Sequence, residues 1–236
     1  MKNRMRKNKS PTEIGSSVMS INPVNVEQTL PIRLALIWMD AVTIAASPEA
    51  FARLEACARS YRERYGESSA GQVEGVQAAR RLFRAIGIEP TRRRPSSEAL
   101  LNRALKNKGF YSVNNLVDVS NWCSLEFLLP ICVYDRDKIR GKITIRQGRP
   151  GESYLALNDR ELHLEGRYLI ADEEGPFGSP MTDSRRTAID ESTRRVLLIL
   201  FAPKDYDAET LRRQAETYAA RVQQFCGGTP VNIEIL

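Results

Sequence analysis

The chain has 236 residues, 42% of them hydrophobic, enough to bury a large core without a metal or disulfide staple. Lys and Arg outnumber Asp and Glu by 35 to 29, a net charge of +6 that favours anionic partners, nucleic acid first. No run approaches the roughly 18 uncharged apolar residues of a membrane span. Cys57, Cys123, Cys132 and Cys226 form no C-x-x-C pair, and one histidine cannot complete a zinc site, so no metal and no cofactor are expected.

The first nine residues, MKNRMRKNK, carry five basic side chains and no acid. The polar SPTEIGSSVMS that follows lacks the apolar core of a secretory signal. Residues 1–28 are therefore expected to be a basic disordered tail, and the protein cytoplasmic with reduced thiols. From Pro31, IRLALIWMDAVTI predicts a short buried strand. Ser47-Pro48-Glu49 then supplies an N-cap, a proline at the first helical position and an acid in the first turn. Phe51, Leu54, Ala58, Tyr61 and Tyr65 follow at helical spacing, closed by Gly66. Ser69-x-x-Gln72 is a capping box for a second helix ending at Gly87. Ser96 opens a third, with Leu100, Leu101, Ala104 and Leu105 inward. A fourth is expected from near Ser112 through VNNLVDVSNWCSLEF.

After Pro130 the period changes to two. ICVYD, KITIRQG, SYLAL, ELHLEG and YLIADEE are each bounded by turn residues, and RRVLLILFAP is a fully buried strand. Asp207 caps a last amphipathic helix, and VNIEIL closes the chain. Helices, then strands, then a closing helix and strand make an α+β fold: N-terminal helices packed on a largely antiparallel, barrel-like β region. One domain is expected over 29–236, with a helical half at about 47–128 and a β-rich half at about 130–236.

His163 alternates with Leu162 and Leu164, which makes it an exposed strand residue and a poor base for a Ser-His or Cys-His engine. No G-x-x-x-x-G-K-[ST] or G-x-G-x-x-G run cradles a nucleotide cofactor. The basic clusters are more informative. Arg92, Arg93 and Arg94 precede a helix whose outer face adds Arg103, Lys106 and Lys108. Arg136, Lys138, Arg140, Lys142, Arg146 and Arg149 stand against Asp137 alone, and Lys142, Thr144 and Arg146 share one strand face. Such a face suits a phosphate backbone or is an ordinary solvated strand.

The stretch LVDVSNWCSLEFLLPICVYDRDKIRGKITIRQGRPGE resembles the B3/B4 module of the phenylalanyl-tRNA synthetase β subunit. A D-x-x-N helix passes through an S-L-E run and a proline into a strand ending in Asp, then a basic strand and a G-E turn. YLIADEEGPFGSP and TAIDESTRRVLLI continue the likeness in order, over about residues 75–205. No aminoacylation motif accompanies it, so the chain resembles a stand-alone B3/B4 protein.

The resemblance implies a pocket for the aminoacylated end of a tRNA, where the synthetase module hydrolyses tyrosine wrongly esterified to the phenylalanine tRNA. Asn121, Ser124 and Glu126 would face that pocket from the fourth helix. Asp172 and the loop 178–187, with Thr182, Asp183, Ser184 and Thr187, would form the opposite wall. Asn121, Asp183, Ser184 and Thr187 are the candidates to orient a water. Arg92, Arg93, Arg94, Lys142 and Arg146 would meet the RNA. Cys132 stands where bacterial editing sites carry a histidine, and Arg185 and Arg186 stand about where they carry an acid. Three readings follow: a trans-acting deacylase of misacylated tRNA, a non-catalytic tRNA or aminoacyl-tRNA binder, and a small amino-acid-binding protein. The expected partner is tRNA, with no membrane and no fixed oligomeric state.

Overall fold

The computed structural model describes residues 21–27, 29–66 and 68–236. The chain begins with β1 (Val24–Val26), β2 (Ile32–Val42) and four helices: α1 (Pro48–Tyr65), α2 (Val76–Ala85), α3 (Ser96–Leu105) and α4 (Asn115–Phe127). Strands β3 (Ile131–Asp135), β4 (Ile143–Gln147), β5 (Ser153–Leu155) and β6 (Glu161–His163) follow. The rest is β7 (Tyr168–Ala171), β8 (Pro176–Gly178), β9 (Val196–Pro203), α5 (Ala208–Cys226) and β10 (Gly227–Ile235).

A central antiparallel sheet has the order β10-β2-β9-β3. Its two middle strands are apolar over residues 34–39 of β2 and all of β9, because both faces are covered there. Ala35, Ile37, Met39, Leu198 and Leu200 pack towards α4 and α5. Leu34, Leu36, Trp38, Leu197 and Ile199 pack towards α2 and a second sheet. Each such fully buried side chain contributes about 1.5–3 kcal/mol. The second sheet has the order β1-β4-β7-β8, and β5-β6 is a separate hairpin. The β region is thus two open sheets, and the expected barrel-like closure is absent among the described residues.

Local signals act where their hydrogen bonds form. The Ser47 hydroxyl accepts from Ala50 N at 3.2 Å and Asp207 from Thr210 N at 2.8 Å, opening α1 and α5. The capping box at Ser69 and Gln72 closes only a single 3-10 turn, because Gly75 at φ +87° interrupts the chain before α2. The fourth helix starts at the Asn114 cap rather than near Ser112. The Ser112 hydroxyl donates to Asp118 instead, at 2.5 Å.

The boundary at residue 28 also moves. Val24, Asn25 and Val26 pair in parallel with Ile143, Thr144 and Ile145, so ordered chain precedes residue 29. Residues 1–20 of the expected tail lie outside the described residues. No helix among the described residues is long and apolar enough to cross a membrane.

Candidate functional site

Two groups of side chains lie on the second-sheet side of the molecule, joined by the loop after β8. The first group lines a cavity of about 580 Å³. Its far wall begins where α2 ends in a Schellman turn. Gly87 N donates to Arg84 O at 3.0 Å and Ile88 N to Phe83 O at 2.8 Å, with Gly87 at φ +76°. That turn delivers Ile88, Arg92 and Arg93 to the cavity.

The opposite wall is Arg167 and Tyr168, at the start of β7. Here two chain segments cross at glycines. Gly166 N donates to Gly148 O at 3.0 Å, and Gly148 N donates to Arg167 O at 2.7 Å. A Cβ on Gly148 would sit 1.9 Å from Leu164 O, so only glycine permits the crossing that sets Arg167 in place. Met181 closes the cavity, with Arg93 Nη1 4.0 Å from its Sδ.

The second group is a polar cluster under the same loop. Cys132 and Tyr134 alternate on β3 and face the second sheet, where the Tyr134 ring meets Phe177 edge-on at 5.0 Å. The Tyr134 hydroxyl donates to Asp183 Oδ1 at 2.5 Å. The Cys132 thiol donates to Ser179 O at 3.6 Å. The Tyr154 hydroxyl donates to Thr182 O at 2.6 Å and Ser179 Oγ at 3.1 Å. Gly178 makes room for this arrangement, since a Cβ there would lie 2.1 Å from Tyr134 Oη.

Burial raises the Asp183 carboxyl to about 6, against the hydrogen bonds from Tyr134, Cys132 and the Ser179 backbone, which favour the anion. Burial, with Asp183 adding to it, pushes the Cys132 thiol and the Tyr134 phenol well above their usual values. The cluster therefore holds one ionisable base at neutral pH, flanked by protonated donors.

The other expected site residues divide clearly. Thr182 supplies its backbone carbonyl to Tyr154 and to the Ser179 hydroxyl. Ser184 is buried and accepts from Arg186 N at 3.0 Å. Thr187 is fully buried with its hydroxyl unpartnered, while its carbonyl accepts from Asp135 N at 2.9 Å. Asp172 is committed elsewhere. It pairs with Arg186 at 2.8 Å and accepts from the backbone N–H groups of Arg140, Glu174 and Gly175, contacts that outweigh its burial and lower its pKa.

The helix wall does not join the loop wall. α4 packs on the opposite face of the central sheet from Tyr134 and Phe177. Ser124 Oγ donates to Leu129 O at 2.8 Å, closing the turn at Leu128 where φ is +55°. Glu126 pairs with Arg221 of α5 at 2.8 Å. Asn121 is half-buried, and no hydrogen bond among the described residues ties it to 178–187.

The basic strand is largely neutralised from within. Arg146 makes a bidentate pair with Glu152 at 2.6 and 2.8 Å. Arg136 is buried against Asp40, and Lys138 reaches Asp135 and Asp190. Lys142 stays exposed, and Arg94 pairs with the buried Glu98 at 3.4 Å.

Residues 78–226 match the family model of the B3/4 domain. The chain belongs to the B3/4 domain family. It is 30% identical over 161 residues to the phenylalanine–tRNA ligase β subunit of Brucella abortus (strain 2308), covering 58% of this chain and 20% of that protein. It is 39% identical over 100 residues to the same subunit of Bartonella quintana (strain Toulouse), covering 42% and 12%. The chain thus spans a fifth or less of the length of these relatives. An N-terminal fragment of the phenylalanyl-tRNA synthetase β subunit from Pyrococcus horikoshii aligns at a TM-score of 0.45 and 15% identity, over 88% of this chain and 50% of that one.

Both groups fall inside the matched B3/4 region. Sequence reasoning reached Arg92, Arg93, Cys132 and the loop that holds Ser179, Thr182 and Asp183, but missed Tyr134, Tyr154, Arg167 and Tyr168. The alternation of ICVYD puts Tyr134 on the same face as Cys132, a signal that was available. Nothing local marks Arg167, whose position depends on the glycine crossing. Among the described residues no cluster of His, Cys, Asp and Glu could hold a metal ion.

Proposed function

We propose that this B3/4 domain binds the aminoacylated end of a tRNA and hydrolyses a misattached amino acid, of the Tyr-tRNA(Phe) kind. The observation that carries this reading is Asp183, a carboxylate raised to about 6 beside the tyrosine hydroxyl that orients it. A base of that strength is mostly ionised at pH 7, yet accepts a proton more readily than an ordinary aspartate. In the proposed step, water attacks the ester carbonyl as its proton passes to Asp183. The bond to the ribose oxygen breaks, and that oxygen takes the proton back. Positioning supplies most of the acceleration, because the ester is already activated. Thr182, Ser184 and Thr187 build the turn that holds Asp183. Family membership and the similarity to phenylalanine–tRNA ligase β subunits support the substrate class.

The test is deacylation of Tyr-tRNA(Phe) and a panel of other mischarged tRNAs by the wild type and Asp183→Asn. Loss of the base should slow hydrolysis about 100-fold or more with tRNA affinity intact. A variant that hydrolyses at the full rate removes Asp183 from the reaction. A second reading, a binder without chemistry, is favoured by one observation: the cavity itself is lined by three arginines and no buried acid. Salt-sensitive tRNA binding without hydrolysis of any substrate would select it. Neither binding nor hydrolysis would leave the small amino-acid binder.

A further inference from the structure

Arg167 is charged and half-buried, and it has no counter-ion among the described residues. Its Nη1 is enclosed with no hydrogen-bond partner. Arg93 lines the same cavity; burial lowers the pKa of Arg167, and the charge of Arg93 adds to that effect. Among the described residues no carboxylate pairs with Arg92, Arg93 or Arg167. Glu89 lies on the rim, where hydrogen bonds from Thr91 N at 3.2 Å and Thr91 Oγ1 at 3.0 Å, with the nearby charges of Arg84 and Arg92, lower its pKa. Folding has therefore set two like charges against each other and left a buried donor unused. An anion in the cavity would partner the enclosed Arg167 Nη1 and offset the like charge of the exposed Arg93.

The rest of the wall says what carries the anion. Tyr168 is half-buried beside Ile88 and Met181, an aromatic and apolar surface next to the cations. The volume of about 580 Å³ lies within the range of small-molecule sites and exceeds what a lone phosphate needs. Arginine with an adjacent aromatic face is the pairing that holds a phosphate and stacks its base. We propose that this cavity is a nucleotide subsite, in which Arg93 and Arg167 hold one phosphate and Tyr168, with Ile88 and Met181, packs against the attached nucleoside. The nucleotide is either the terminal unit of a bound RNA or a free nucleotide. Only the first source rests on the function proposed above. In that case Met181 links the subsite to Asp183, two residues on, and the RNA end is anchored beside the base.

The test titrates the full chain with the tetranucleotide ACCA, with 5′-AMP and with inorganic phosphate, by calorimetry at low and moderate salt. ACCA and AMP should both bind, and Arg93→Gln and Arg167→Gln should each weaken them at least tenfold. Tyr168→Ala should weaken AMP more than inorganic phosphate. Ligand-free Arg93→Gln should melt no lower than wild type, because the substitution relieves repulsion; a merely structural arginine would give the opposite sign. Tighter binding of ACCA than AMP identifies the RNA source, and the reverse order identifies a free nucleotide.

Binding that ignores both arginine substitutions would overturn the subsite. So would failure of all three probes, or inorganic phosphate binding as tightly as AMP. Arginine-dependent ACCA binding without hydrolysis of any mischarged tRNA leaves the subsite standing and the hydrolase reading fallen. Hydrolysis at the wild-type rate and KM in both arginine variants gives the converse.

Discussion

Under the proposed function, one proton on Asp183 would link stability to chemistry. Its pKa is raised by burial to about 6, so the folded state favours the neutral acid. The stability that this contributes is full below the unfolded value of about 4 and is lost as pH rises through 6. Asp183→Asn keeps an acceptor for the Tyr134 hydroxyl and carries no charge. Its melting temperature, relative to wild type, should therefore climb between pH 4 and pH 7; a difference independent of pH would show that the carboxyl is solvated. The proposed hydrolysis is expected to have the opposite slope. Hydrolysis should rise with pH through about 6 as the base ionises. Gly178→Ala tests the same cluster from the other side, because the new methyl would displace the Tyr134 hydroxyl. The expected result is a loss of hydrolysis of at least tenfold, with tRNA affinity retained. Full activity in that variant would mean that the contact between Tyr134 and Asp183 is dispensable.

At the scale of elements, the glycine crossing and the basic strand make separate predictions. Gly148→Ala forces a methyl into Leu164 O, and relief requires moving the segment that carries Arg167. It should cost about 1–3 kcal/mol in denaturant unfolding, the magnitude typical of overpacking. The ion pair with Glu152 gives Arg146 a role in the fold, and we propose that it contributes little to RNA binding. Glu152 is held down to about 2, chiefly by its hydrogen bonds from Arg146. That contribution is present above the usual glutamate pKa of about 4.5 and is lost as pH falls towards 2. Arg146→Gln should cost roughly 2 kcal/mol at pH 7 and progressively less in acid, while tRNA affinity stays unchanged. A fall in affinity matching that of the Arg93 variant would return Arg146 to the RNA surface.

The elements also show what a one-dimensional reading can carry. Alternation over ICVYD, KITIRQG and YLIADEE located β3, β4 and β7, because strand burial repeats every second residue. The capping residues Ser47 and Asp207 located α1 and α5 for an equally local reason. Ser69 and Gln72 misled, since Gly75 breaks the chain before a helix can propagate. Counting charge along 136–149 overstated the free cations. The partners of Arg136, Lys138 and Arg146 lie at Asp40, Asp190 and Glu152, and two of those three are remote in sequence.

Across the whole molecule, the candidate site was half visible. The loop with Thr182 and Asp183 and the strand with Cys132 were reached through family resemblance, and the structure brings them under one cluster. The expected wall from α4 went elsewhere: Glu126 and Ser124 are occupied in helix packing and a turn, and the sheet lies between α4 and Tyr134. Tyr154 and Arg167 depend on the β5-β6 hairpin folding back over the second sheet, a tertiary event with no local sequence mark. The net charge of +6 is likewise not spread evenly. Among the described residues, Arg92, Arg93 and Arg167 gather around one cavity with no ion pair to a carboxylate, beside the loop that carries Asp183.

The most direct measurement is the rate of hydrolysis of Tyr-tRNA(Phe) by the purified chain at pH 7.5, compared with the spontaneous rate in the same buffer and with correctly charged Phe-tRNA(Phe). The proposed function requires hydrolysis well above the spontaneous rate for the mischarged substrate and near it for the correct one. Spontaneous rates for both, and for the rest of the mischarged panel, would contradict it.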